Sequence, residues 1–273
     1  MKAKNMQIFK KKPIDNHFHT SELLRCLGAF DLTLLGIGAI VGAGIFVLTG
    51  VVAATQTGPA IILSFIIAGC ACAFTALSYA ELAATVGGSG SAYGYAYAGF
   101  GELVAWIIGW VLLLEYGIGS SVVAIGWSGY FNNALTSIGL HLPEYLTHNL
   151  VDGSWINLPA VIIVFLITTL LCLGIKFSKN ANNIMVIVKL IAISIFIGVA
   201  VFNVNPINWQ PFMPFGWTGV MHSVALIFFA YIGFDAVSTA NEEAINPQRD
   251  LPIGILVSLF ICTLLYMLVG MSS

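Results

Sequence analysis

The chain has 273 residues, of which 59% are hydrophobic and only 8% charged, with a formal net charge of −2. A soluble domain carries about 25% charged residues, so this chain cannot cover itself in polar surface and lipid must be its solvent. The net charge itself says little, and no nucleic-acid partner is expected. No metalloprotease helix, nucleophile elbow or phosphate-binding loop is present, so no metal, cofactor or enzymatic activity is expected.

In lipid the backbone must satisfy its own hydrogen bonds, which leaves helices or closed barrels. The apolar runs are too long and unbroken for ten-residue alternating barrel strands. The fold class expected is therefore an all-α polytopic membrane protein. Residues 1–29 read as a tail and residues 30–273 as the membrane domain. The tail holds six of the ten Lys and Arg residues: Lys2, Lys4, Lys10, Lys11, Lys12 and Arg25. It is too long and basic for a cleavable signal peptide. Its Asp15-x-His17-x-His19 cluster suits a solvated tail better than a metal site.

A spanning helix needs roughly 20 mostly apolar residues. Seven such stretches follow, at 30–53, 59–84, 101–130, 157–175, 184–203, 218–240 and 251–271. The third is longer than a bilayer requires and should tilt or protrude. Between the second and third, residues 87–101 are rich in Gly, Ser and Tyr and read as a connection at the membrane interface, where aromatic rings favour the headgroups. Basic residues gather on the cytoplasmic side of membrane proteins. With the N-terminus in the cytoplasm, Lys176, Lys179 and Arg249 also fall inside, and the outer loops 131–156 and 204–217 hold no Lys or Arg. Only Lys189 lies within a span. No cysteine falls in an outer loop, so no disulfide is expected.

Two stretches carry chemistry. The first is Gly36-Ile37-Gly38-Ala39-Ile40-Val41-Gly42-Ala43-Gly44-Ile45-Phe46 in span 1. Each of its four glycines weakens a helix by about 1 kcal/mol relative to alanine. Two readings fit: local unwinding at mid-membrane, or close helix packing through small residues. The second is Phe228-Phe229-Ala230-Tyr231-Ile232-Gly233-Phe234-Asp235-Ala236 in span 6. An ionisable residue within a span is expensive and usually faces the bundle interior. Asp235 reads either as a functional group or as a helix-to-helix hydrogen bond near the interface. Interrupted segments at matching places in two halves point to a binding site in inverted-repeat transporters. Half-helix N-termini offer positive dipole ends to a carboxylate, and unwound carbonyls accept hydrogen bonds from an ammonium. A zwitterionic amino acid presents both.

The run GIGAIVGAGIFVLTG (36–50) resembles span 1 of the amino acid–polyamine–organocation superfamily. The run FFAYIGFDAVSTANEEAINPQRDLPIGI (228–255) resembles span 6 and its following loop in the cationic amino acid transporter branch. The resemblance extends from about residue 20 to the end of the chain. It implies a leucine-transporter-like fold of five-helix inverted repeats, with the amino acid between spans 1 and 6. Matched residue by residue, it implies substrate contacts from Ile40, Ala43, Gly44, Phe229, Ala230 and Ile232, mostly through the backbone.

Lys189 lies about 8 Å inside span 5 at 1.5 Å rise per residue, and depth alone would let it snorkel to the interface. The resemblance implies a proton-coupling role instead: its ammonium takes the place of a sodium ion near unwound span 1. Glu115, midway along span 3, is either structural or a relay partner. The partners expected are an amino acid, protons and the lipid of a bacterial inner (plasma) membrane. The chain departs from the family in length. Spans 1 to 5 complete one repeat, but only spans 6 and 7 of the second are present. It therefore looks C-terminally truncated, which leaves two readings: a truncated permease, or a non-transporting fragment or one half of a split permease that needs a chain supplying the missing helices.

Overall fold

A computed structural model describes residues 10–11, 24–42, 44–147, 156–203 and 209–272. Regular structure among them is helical, apart from one isolated bridge between Leu27 and Ala244. Among the described residues, five runs are long and apolar enough to cross a membrane: Thr49–Thr85, Glu102–Ser137, Ile175–Phe202, Gly216–Glu243 and Pro247–Met271. Ala29–Ile40 and Leu158–Cys172 are shorter apolar helices. The seven expected stretches are all found as helix, but cut differently.

Span 1 is two pieces. Helix α1 is Ala29–Ile40; the chain resumes as a π-helical turn at Gly44–Leu48, helix α2 at Thr49–Val52 and a second π-turn at Ala53–Thr57. Gly58, at φ +61°, and Pro59 then turn the chain into α3, Ile61–Thr85. Residues 87–101 are more regular than a connection. Gly87 and Gly88 have positive φ, α4 occupies Ser91–Phe100, and Gly101 at φ +93° separates it from α5, Glu102–Ser137. The glycines punctuate the ends of α4 rather than unravel it. Helix α6, Leu158–Cys172, is shorter than the stretch 157–175. Asn157 caps its start by accepting from the Ala160 N–H at 3.1 Å, and Gly174 at φ +101° lies beyond its end. Helix α7, Ile175–Asn203, starts earlier than its apolar stretch and carries Lys176 and Lys179 on its first turns. Span 6 is α8, Gly216–Tyr231, then a break, α9 at Ala236–Thr239 and a 3-10 turn at Ala240–Glu243; α10 is Pro247–Ser272.

The chain forms two compact units. One is Trp110–Ser178, holding most of α5 and all of α6. Within it Asn157 donates to the Ser128 hydroxyl on α5 at 2.8 Å, and Trp127 stacks on Phe131. The other joins the described residues up to Gly109 with those from Lys179 onward. There α3 packs along α10 and α8, and α10 along α1. Ser64 on α3 and Ser223 on α8 share a hydrogen bond at 2.7 Å. The fully buried rings of Phe65, Tyr231 and Tyr266 form the aromatic centre: Tyr266 lies 5.3 Å from each of the other two. Tyr231 donates to the Phe65 carbonyl at 3.1 Å.

Candidate substrate site at two helix breaks

Helix α1 stops at Ile40, and Val41 and Gly42 follow as a bend. Its last carbonyls therefore lack the usual helical partner four residues on. The same happens where α8 ends at Tyr231: Ile232 turns out of the helix at ψ 134°, and Gly233 has φ +117°. Such a φ favours glycine. A Cβ on Gly233 would also lie 2.9 Å from the carbonyl carbon and oxygen of Ala39.

The two breaks are in contact. A Cβ on Gly44 would lie 2.5 Å from the Ala230 Cβ and 2.8 Å from its Cα. Gly36 approaches Ser258 and Val237 in the same way, and a Cβ on Gly38 would meet Val186 at 2.8 Å. Only Gly42 of the motif faces open space. Both sequence readings of the glycine run therefore hold at different positions. The helix breaks within the run, and Gly36, Gly38 and Gly44 allow close packing on three different neighbours.

The freed carbonyls have partners. The Tyr266 hydroxyl, on α10, donates across 2.8 Å to both the Ile40 and Ala230 carbonyls. It has one proton to share between them, so each carbonyl keeps spare accepting capacity. Lys189, on α7, donates to the Val41 carbonyl at 3.0 Å and to the Gly38 carbonyl at 3.4 Å. An ammonium at a helix C-terminus meets the negative end of the macrodipole. Lys189 thus reaches sideways to α1 rather than snorkelling along its own helix.

Ile40, Gly44 and Ala230 are buried around this junction, Ile232 is half-buried, and Phe229 is 39% exposed. Ala43 lies outside the described residues, as do Asp15, His17 and His19. Asp235 is buried beside the second break, where its carbonyl accepts from the Ser238 hydroxyl at 2.6 Å. Glu115 is half-buried on α5 and belongs to the Trp110–Ser178 unit. Tyr266 escaped the sequence reading. The available signal was a hydroxyl inside span 7, five residues before its end, which in hydrocarbon needs a partner. Replacing Tyr266 with phenylalanine should leave at least one buried carbonyl unpaired and cost about 1–3 kcal/mol. A denaturant titration that gave wild-type stability for Tyr266→Phe would remove the hydroxyl from any holding role.

Residues 27–273 match the family model described as amino acid permease. The chain belongs to the amino acid permease family. It is 55% identical over 271 residues to the branched-chain amino acid permease BcaP of Bacillus subtilis, covering 96% of this chain and 58% of the relative. It is 50% identical over 269 residues to the methylthioribose transporter of the same organism, with 97% and 58% coverage. A vacuolar cationic amino acid transporter of Arabidopsis thaliana is 40% identical over 257 residues, with 91% and 43% coverage. The chain thus spans 58% or less of the length of these permease-family relatives.

Proposed function

We propose that this chain forms the substrate-binding part of a proton-coupled amino acid symporter with a leucine-transporter-like inverted-repeat fold. The observation that carries the reading is the junction of the two breaks, where Gly44 meets Ala230 and Tyr266 bridges the carbonyls of Ile40 and Ala230. The substrate carboxylate binds the free N–H groups at the start of 44–48, beside Ala43 and Gly44. Its ammonium binds carbonyls of Phe229, Ala230 and Ile232. Lys189 carries the proton: protonated, it holds the end of α1, and on losing the proton it lets go. Asp235 and Glu115 are secondary candidates for the proton path. Matching breaks in spans 1 and 6 support the repeat.

Relatives continue beyond the matched part, so transport is assigned to the larger assembly and not to these 273 residues alone. The test is a chimera with this chain in place of the matching part of the Bacillus branched-chain permease, reconstituted with an inward proton gradient. Uptake of a branched-chain or cationic amino acid, lost with an uncoupler, is the expected result. The 273-residue chain alone should give none. Uptake of methylthioribose and of no amino acid would replace the substrate assignment.

The proposed setting is a bacterial plasma membrane with the N-terminus in the cytoplasm. Reporter fusions after residues 90, 178 and 246 should then read as cytoplasmic, and fusions after 56, 145 and 210 as external. A cytoplasmic signal at 145 would contradict the span order.

A further inference from the structure

Helix α7 holds α1 at both ends. Lys189 grips the C-terminal carbonyls, as described above. At the other end the Lys179 ammonium pairs with the Asp31 carboxylate at 2.7 Å, with the two side chains 23% and 16% exposed. Asp31 also accepts from the Asn183 side chain at 2.8 Å and from the Gly28 N–H at 3.1 Å. Lys179 donates a second hydrogen bond to the Cys26 carbonyl at 2.9 Å. The contacts share one register: Asp31 with Lys179, Gly38 with Val186 and Val41 with Lys189 are each 148 residues apart. The two helices therefore run parallel over the whole of α1. A carboxylate in a helix's first turn and an ammonium at its last carbonyls both complement the macrodipole. Charge thus clamps a twelve-residue helix at its two ends.

The far end of this clamp is also where the chain enters. Cys26 and Leu27 donate to the Glu243 carbonyl at 2.9 and 3.0 Å, and Ile245 donates to the Leu27 carbonyl at 2.9 Å. The segment entering α1 is thereby tied to the loop after α9, while Lys179 ties it to α7.

We infer that Asp31 and Lys179 are a positioning pair that holds α1 in register on α7, and that their separation releases the N-terminal end of α1. The broken-helix site depends on where α1 ends, so the pair sets the position of the Ile40 and Val41 carbonyls without touching substrate. This role rests on the transport reading for its purpose, but the clamp itself does not. With Lys189 engaged, both ends are fixed. With Lys189 released, the Asp31–Lys179 pair is the remaining ionic tie between the described parts of α1 and α7, and its opening frees the half-helix to swing about the segment that enters it.

Cys26 is a built-in reporter. It is half-buried beside the pair, whereas Cys72 and Cys262 are fully buried and Cys70 and Cys172 are exposed. In the full 273-residue chain with Cys70→Ser and Cys172→Ser, labelling by a membrane-permeant maleimide is followed without substrate. Asp31→Asn and Lys179→Gln should each speed Cys26 labelling by at least about tenfold, as expected of a local opening. The double variant should exceed neither single beyond the hydrogen bond that Lys179→Gln also loses at the Cys26 carbonyl, because the ion pair is common to both. Asp31→Glu and Lys179→Arg should stay near the parent rate. Cys72 and Cys262 should remain unlabelled throughout; if they label in step with Cys26, the pair serves global stability only and the inference fails. Parent-like Cys26 rates in both Asp31→Asn and Lys179→Gln, or additive effects in the double variant, would also overturn it. Because no substrate is present, these outcomes are independent of whether the assembly carries amino acids.

Discussion

Replacing Gly44 with leucine is expected to abolish uptake in the chimera, and Gly44→Ala to impair it strongly. The cause is the 2.5 Å that would separate an added Cβ from the Ala230 Cβ, with the Ala230 backbone 2.8 Å away. Backbone on both sides leaves no flexible side chain to move aside, so the two half-helices must part. Inserting even one methyl into such a contact costs typically 1–3 kcal/mol, and leucine adds three more carbons. In the proposed binding mode the substrate carboxylate also lies where that side chain would go. The close approach to Ala230 supplies a second reason, and a compensating change separates the two. In Gly44→Ala with Ala230→Gly the packing space is returned. Recovery of thermal stability with no recovery of uptake would assign Gly44 to the ligand. Recovery of both would assign it to packing. Parent-like uptake in Gly44→Leu would contradict a site at this junction altogether.

Removing the Lys189 ammonium is expected to have a comparably large effect. It makes two hydrogen bonds to the end carbonyls of α1, at 3.0 and 3.4 Å. A hydrogen bond with a charged partner contributes roughly 1.5–3 kcal/mol. Lys189→Met, which keeps the length but not the charge, should therefore lower proton-driven uptake by about 100-fold or more, at tenfold per 1.4 kcal/mol. Lys189→Arg separates holding from coupling, because a guanidinium keeps its charge throughout the accessible range. It should preserve exchange of internal for external amino acid while abolishing accumulation against a gradient. Accumulation by Lys189→Arg at the parent level would rule out Lys189 as the proton carrier.

These two residues stood out in the sequence for different reasons. Lys189 was visible because a charge inside an apolar stretch is expensive enough to need an explanation. Its partners were not visible: Gly38 and Val41 lie about 150 residues away, and nothing local identifies which carbonyls are free. Gly44 was visible as one of four glycines, but its role depends on which neighbour it faces. Gly36, Gly38 and Gly44 look alike in sequence yet approach α10, α7 and α8 respectively, while Gly42 approaches nothing within 4 Å. Tyr266 was missed because a tyrosine near the end of a span reads as an interface residue, and its significance lies wholly in the two carbonyls it reaches.

Apolar length and the scarcity of charge by themselves determined that this protein is helical and lives in lipid, because hydrocarbon forces each backbone segment to pair within itself. The same local patterns marked the two stretches in which a break could fall, since glycines weaken a helix wherever the rest of the chain lies, but they left unwinding and close packing both open at span 1. Only the tertiary structure decided that the breaks meet, that Tyr266 and Lys189 take the released carbonyls, and that Asp31 pairs with Lys179. Those contacts join residues 36 to 226 positions apart. Their geometry is set by how α1, α7, α8 and α10 pack, which no local sequence pattern encodes.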